Sequence, residues 1–191
     1  MSYYEVLLFL HIAAAVIWLG SGFFVQMLIA RAEKIGDRLF LKQFSAYPAW
    51  MTQRIFIPAS LAVLVLGILL TIEGPWTFGQ LWIVLGLVGY ALSFLTGILL
   101  LEPQGKRIQA AIETHGPESP QAAFQIARIN VISRLELVVL YLVVYVMSLK
   151  PTAEDTWTLV VAAAVVLGAL VYGVPKLRSA APGTPAPAAA D

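Results

Sequence analysis

His11 is the residue of this sequence best suited to carry chemistry. It is one of two histidines and stands about two helical turns inside the first long apolar stretch. Ionisable side chains at such a depth in a membrane are uncommon and indicate function by default, and neutral imidazole is the usual axial ligand of haem iron. Trp18 follows seven residues later, on the same helical face. His11 is therefore a candidate metal ligand of haem iron, and Trp18 lies on the face that would adjoin the cofactor; a histidine hydrogen-bonded to a neighbouring helix is the structural alternative.

A second axial ligand and groups for the haem propionates are the next requirement. Met147, near the end of the fourth apolar stretch, is the best candidate for the ligand within the chain, although methionine in a helix also serves as packing filler. Arg54 and Arg134 open the second and fourth stretches and can hold propionates or lipid phosphates. Snorkelling to the membrane interface is their simpler role. Glu136 lies deeper and needs a partner, for which Arg54 is a candidate.

The composition shows what kind of element must position these residues. Of the 191 residues, 60% are hydrophobic and 12% are charged, and the mean hydropathy is +0.83. In a soluble domain roughly a quarter of the residues are charged. The sequence therefore predicts an all-α bundle whose solvent is the lipid bilayer. A net charge of +1 argues against nucleic acid as a partner. The absence of cysteine excludes disulfides and iron–sulfur clusters.

Hydropathy predicts five transmembrane helices, each free of Lys and Arg except at its ends. With these spans, eleven of the twelve basic residues fall on one side of the membrane and Lys150 alone on the other. This asymmetry places the N-terminus outside and the C-terminus in the cytoplasm, as in a multi-pass protein of a bacterial inner membrane. The predicted spans are 4–30, 55–73, 80–101, 133–149 and 156–175.

The chain divides into one membrane domain and a tail. Residues 1–178 form the predicted five-helix domain, and residues 179–191 are rich in Pro and Ala and are expected to be a disordered cytoplasmic tail. Between the third and fourth spans, Ser119-Pro120 is typical of a helix N-terminus. The fourth helix is therefore expected to begin near residue 120. His115, in the same connection, is expected to be a solvated loop residue.

The third span carries small residues at four-residue spacing: Gly89, Ser93 and Gly97. Such a stripe lets two helices approach closely. It is a candidate contact face for another membrane subunit. Few polar groups stand at mid-membrane depth in the predicted spans, which argues against a transporter or a channel.

Two short segments resemble known membrane proteins. The sequence HIAAAVIWLG, from His11 to Gly20, resembles the opening of small bacterial proteins related to the CopD-like family and to HemJ-type protoporphyrinogen oxidases. VMSLKP, from Val146 to Pro151, is similar to an ending in uncharacterised CopD-like proteins. The resemblance implies a helical bundle in which His11 binds haem b or contacts a porphyrin. The basic and aromatic motif of HemJ-type enzymes is absent after Gly22, where this chain reads FFVQMLIARAE.

Three functions follow as hypotheses. The first is a small haem-associated protein, or an accessory subunit of a membrane redox system, with His11 as ligand. The second is a HemJ-like porphyrin-oxidising enzyme. The third is a structural or assembly subunit without a cofactor, which would contact a larger complex through its small-residue stripe.

Overall fold

The computed structural model describes residues 2–37, 40 and 48–179, and the regular elements within them are all helical. Two π-helical segments, Thr52–Phe56 and Gly97–Leu101, join consecutive α-helices without a break. We number the α-helices in chain order: α1 Tyr3–Ile35, α2 Pro48–Met51, α3 Ile57–Glu73, α4 Leu81–Thr96, α5 Glu102–His115, α6 Pro120–Leu149 and α7 Thr156–Ser179.

The described residues contain five helical stretches that are long and apolar enough to cross a membrane, which confirms the predicted five-span bundle. The shortest have 22 residues, about 33 Å at 1.5 Å per residue, against a hydrocarbon core of about 30 Å. Few of their side chains are buried within the chain, because the solvent of the outer surface is lipid. The stretches are Tyr3–Ala32, Thr52–Glu73, Leu81–His115, Pro120–Leu149 and Thr156–Leu177.

Helix α6 is the centre of the bundle. Helices α1, α4, α5 and α7 all pack on it, while α3 packs chiefly on α1. Close approaches fix the relative heights of the helices: Gly22 of α1 lies against Leu137 and Phe56, and Gly67 of α3 lies against His11. Gly22 follows His11 by eleven residues and Phe56 precedes Gly67 by eleven. The antiparallel pair α1 and α3 therefore keeps one register along its length.

The third span does not end where the sequence predicted. Residues 102–115 were expected in the connection to the fourth span, but the helix continues through the π-helical segment into α5. Pro103 is tolerated at the start of α5, and Lys106 forms an ion pair with Glu102 at 2.7 Å. The buried Gln104 donates hydrogen bonds to the carbonyl and side-chain oxygens of Gln125 at 3.1 and 2.6 Å, which fixes α5 on α6. His115 is consequently the exposed last residue of a helix.

The fourth helix begins as predicted. Ser119 is its N-cap, with an extended backbone (φ −65°, ψ 148°), and its hydroxyl oxygen accepts a hydrogen bond from the Ala122 N–H at 3.2 Å. Pro120 occupies the first helical position, where no N–H is needed. The first turns of α6 thus extend beyond the apolar span, as the sequence indicated.

Ser119→Ala should lower the free energy of unfolding by about 1 kcal/mol, because the Ala122 N–H loses its partner. Thermal unfolding in detergent, followed by circular dichroism, would measure the loss. Ser148→Ala, an exposed serine near the other end of α6, is the control and should leave the midpoint unchanged. Equal midpoints for the two variants would contradict the capping role.

The distribution of charge along the helices agrees with the predicted orientation. Among the described residues, Lys150 is the one basic residue at the end of the bundle where α1 begins, and the others lie at the opposite end, which we call the basic face. The predicted tail, from residue 180 onward, lies outside the described residues.

Candidate functional site

His11 lies between α1 and α3 in the half of the bundle away from the basic face. Its side chain is half-buried. A Cβ atom on Gly67 would come within 3.1 Å of the imidazole Cε1 and 3.6 Å of Nδ1, so the glycine makes the room that the ring occupies. The imidazole forms a hydrogen bond with the backbone of Val63, one turn before Gly67. Its Nδ1 is buried and has no hydrogen-bond partner among the described residues.

Trp18 contacts α4. Its ring meets that of Tyr90 edge to face, with centroids 5.8 Å apart and an interplanar angle of 62°. Tyr90 in turn stacks on Phe94 with centroids 6.1 Å apart. The Tyr90 hydroxyl is buried without a hydrogen-bond partner in the described part of the chain. Trp18 therefore connects the helix that carries His11 to an aromatic pair on α4, of which Phe94 is exposed.

Met147 lies in a notch of α4. The position that a Cβ on Gly86 would take is 1.8 Å from the Met147 methyl carbon and 3.5 Å from its sulfur. Met147 packs against Gly86 of α4, whereas His11 packs against Gly67 of α3. The two predicted ligands therefore contact different helices. Met147 as second axial ligand stays a prediction.

The two arginines lie far from His11. Arg54 is exposed in the π-helical segment before α3, and Arg134 donates a hydrogen bond to the Tyr172 hydroxyl of α7 at 3.3 Å. Both stand beyond the level of Gly22, which is about 16 Å along the helix axis from His11 at 1.5 Å per residue. The contact of either arginine with haem propionates stays a prediction.

Glu136 does not pair with Arg54, the partner considered from the sequence. One carboxylate oxygen accepts a hydrogen bond from the Ser93 hydroxyl of α4. The other is buried and has no hydrogen-bond partner within the described residues. The carboxylate therefore belongs to the contact between α4 and α6.

The small-residue stripe of the third span packs inside the chain, which corrects its predicted use as a face for another subunit. A Cβ on Gly89 would lie 2.4 Å from Val143 Cγ2 of α6, and Ser93 is buried against Glu136. Gly97 alone has open space around it. Small residues permit a close helix contact, and the contact they make here is with α6.

Sequence reasoning gave too little weight to other polar groups buried in the bundle. Besides His11, Tyr90 and Glu136, the Gln26 side-chain oxygen and Arg128 Nε are buried without hydrogen-bond partners among the described residues. In the sequence, Gln26 interrupts an apolar run, and this interruption was the available sign of a buried polar group. Residues 2–37, 40 and 48–179 contain no group of three or more His, Asp or Glu side chains that could hold a metal ion.

A second feature that sequence reasoning passed over lies at the end of the bundle opposite the basic face. The amine of Lys150 stands over the rings of Trp76 and Trp82, 4.2 and 5.4 Å from their centroids. These three residues border a cavity of about 350 Å³. The available sign in the sequence was Lys150 itself, the single basic residue of the described chain at that end of the bundle.

Comparison with known proteins agrees with this architecture. Residues 5–151 match the model of a family described as "Predicted integral membrane protein (DUF2269)". No curated protein matches the chain, and neither does any solved structure. The match covers most of α1 and all of α2 to α6, including His11 and Lys150. The chain belongs to the DUF2269 family of predicted integral membrane proteins.

Proposed function

We propose that this chain is a small haem b-associated protein of a bacterial cytoplasmic membrane, part of a redox system, in which His11 is an axial ligand. The observation that carries the proposal is the half-buried imidazole: it is bonded to the Val63 backbone, yet its buried Nδ1 is unpartnered among the described residues. A ligating histidine commonly has one ring nitrogen hydrogen-bonded to a carbonyl and the other on the metal. The resemblance of residues 11–20 to CopD-like and HemJ-type proteins supports the same residue.

The surroundings of His11 also fit a ligand. Gly67 has no side chain to press on the ring, and the Val63 backbone fixes the orientation of the imidazole. The helices around it are apolar, so they limit the access of water and of external ligands. A haem bound there would supply one-electron transfer. The residues of the chain would hold it, orient its axial ligand and keep the site dry.

The optical spectrum of the purified protein tests the proposal. We expect wild-type protein, expressed with added haem and purified in detergent, to show a Soret band and sharp bands after reduction with dithionite. His11→Ala should lose these bands, because the iron loses its protein ligand. His115→Ala, which changes the exposed histidine at the end of α5, is the matched control and should retain them. Haem content per chain would be measured on the same samples.

Two results would contradict the haem proposal. A colourless wild-type protein would leave a porphyrin-oxidising enzyme or a subunit without a cofactor as the remaining hypotheses. A full haem content in His11→Ala, with helicity unchanged, would exclude His11 as the essential ligand. Met147→Leu tests the second ligand. Its reduced spectrum should differ from that of the wild type only if Met147 is bound to the iron.

A further inference from the structure

The cavity beside Lys150, which we call the outer pocket, is formed by two connections between helices. The α3–α4 connection and the start of α4 contribute Trp76, Gln80 and Trp82, and the α6–α7 connection contributes Lys150 and Thr152. Its volume is about 350 Å³. The pocket stands where the helices leave the hydrocarbon, which is the depth of lipid head groups and of tryptophan belts.

Lys150 is held in place by the backbone as well as by the aromatic rings. It ends α6 in the left-handed conformation (φ 47°), the one non-glycine residue of the described chain with a positive φ, and its N–H donates to the Val146 carbonyl at 2.8 Å. A cation over an indole ring is attracted to the ring face. No carboxylate of the described residues forms an ion pair with Lys150. The amine is therefore a fixed positive charge that has no anionic partner within the described chain.

The aromatic wall of the outer pocket is itself braced. Trp76 Nε1–H donates to the Tyr4 hydroxyl of α1 at 3.1 Å, and the Trp76 and Trp82 rings meet edge to face with centroids 5.2 Å apart. Gln80 adds a polar group; its side-chain oxygen accepts from the Thr77 N–H at 3.4 Å, which leaves its amide NH₂ as a donor. The pocket thus combines a cation and an amide donor with an apolar wall.

Asp155, in the same connection as Lys150, is used by the loop itself. Asp155 accepts hydrogen bonds from the Thr152 N–H at 2.7 Å and from its hydroxyl at 2.8 Å. These bonds, the backbone one first, hold the pKa of Asp155 below its usual value, so the carboxylate is charged at neutral pH. Its engagement with Thr152 closes the turn before α7.

We propose that the outer pocket binds the phosphate group of a membrane phospholipid, with Lys150 as its counter-ion. The depth of the pocket matches that of the head group, and the apolar wall of Trp76 and Trp82 suits the adjoining glycerol. A single lysine and one amide give weak attraction to a free anion in water, whereas a lipid is held at this depth by its chains. A basic residue near the surface favours an anionic head group.

Calorimetric titration of the full chain in detergent tests this proposal without reference to haem. The probes are dihexanoyl phosphatidylglycerol, inorganic phosphate, and dihexanoylglycerol, which has the same chains and no phosphate. We expect the phospholipid to bind, and Lys150→Gln to weaken its binding about fivefold, as the loss of one interfacial cation implies. Lys150→Arg should retain binding. Lys34→Gln, at the basic face, is the control and should match the wild type.

Three results would overturn the proposal. Equal affinity in Lys150→Gln and wild type, with helicity unchanged, would show that the cation is not used. Inorganic phosphate binding as tightly as the phospholipid would identify a site for a free anion. Dihexanoylglycerol binding as tightly would identify an apolar groove that does not recognise phosphate.

Discussion

Gly89→Ala should lower the free energy of unfolding by about 1–3 kcal/mol, the usual cost of forcing extra volume into a packed contact. The added methyl would lie 2.4 Å from Val143 Cγ2, a branched side chain on α6 that cannot swing away from its backbone. Helices α4 and α6 would have to separate. The midpoint of unfolding in SDS, followed by the loss of helical circular dichroism in mixed micelles, measures the change.

Two other glycines make this test specific. Gly168 of α7 has nothing within 4 Å of the position of a Cβ, so Gly168→Ala should be neutral or stabilising, since alanine favours a helix. At Gly86 the added methyl meets the end of Met147, a flexible side chain. Gly86→Ala should therefore fall between the two. If Gly89→Ala unfolded at the same midpoint as Gly168→Ala, the close contact between α4 and α6 would be refuted.

The hydrogen bond from Ser93 to Glu136 is expected to couple the two residues strongly. Ser93→Ala removes the one partner that Glu136 has in the described structure and leaves a buried carboxylate without hydrogen bonds, at a cost of about 1–3 kcal/mol. Glu136→Leu should cost less, because the remaining serine hydroxyl can bond to a carbonyl of its own helix. The double variant should regain most of the stability lost in Ser93→Ala.

A double-mutant cycle in the same unfolding assay measures this coupling. Ser60→Ala is the matched control, because the buried Ser60 hydroxyl donates to the Ile57 carbonyl of the same helix at 3.0 Å and does not connect two helices. Its combination with Glu136→Leu should be additive. Additive effects in Ser93→Ala and Glu136→Leu would mean that the two side chains do not depend on each other.

The sequence was sufficient for the features that depend on lipid as the solvent or on local chemistry. Five apolar runs predicted five spans because a helix in a bilayer must satisfy its own backbone. Ser119-Pro120 predicted the start of α6 because a cap and a proline act through neighbouring residues. The α5 continuation was not predicted, because its helix is stabilised from outside itself, by Gln104 buried on Gln125.

The identity of neighbours was the part that the sequence could not give. A stripe such as Gly89 and Ser93 shows that some helix can approach closely, but the partner depends on the order of helices in the bundle. The height of Arg54 relative to His11 depends in the same way on the register of α1 against α3. The position of Lys150 over Trp76 could not be predicted either, because the two residues lie in connections that are far apart in sequence.

Helix α7 lies outside the family match and packs on the part of the chain that the match covers. The match ends at residue 151, before α7 begins, and the principal neighbour of α7 is α6, where Gly173 lies against Leu135. Four spans alone would leave the chain on the side where it entered the bilayer. Because α7 crosses once more, its own C-terminal end, with Lys176, lies on the same side of the membrane as the arginines.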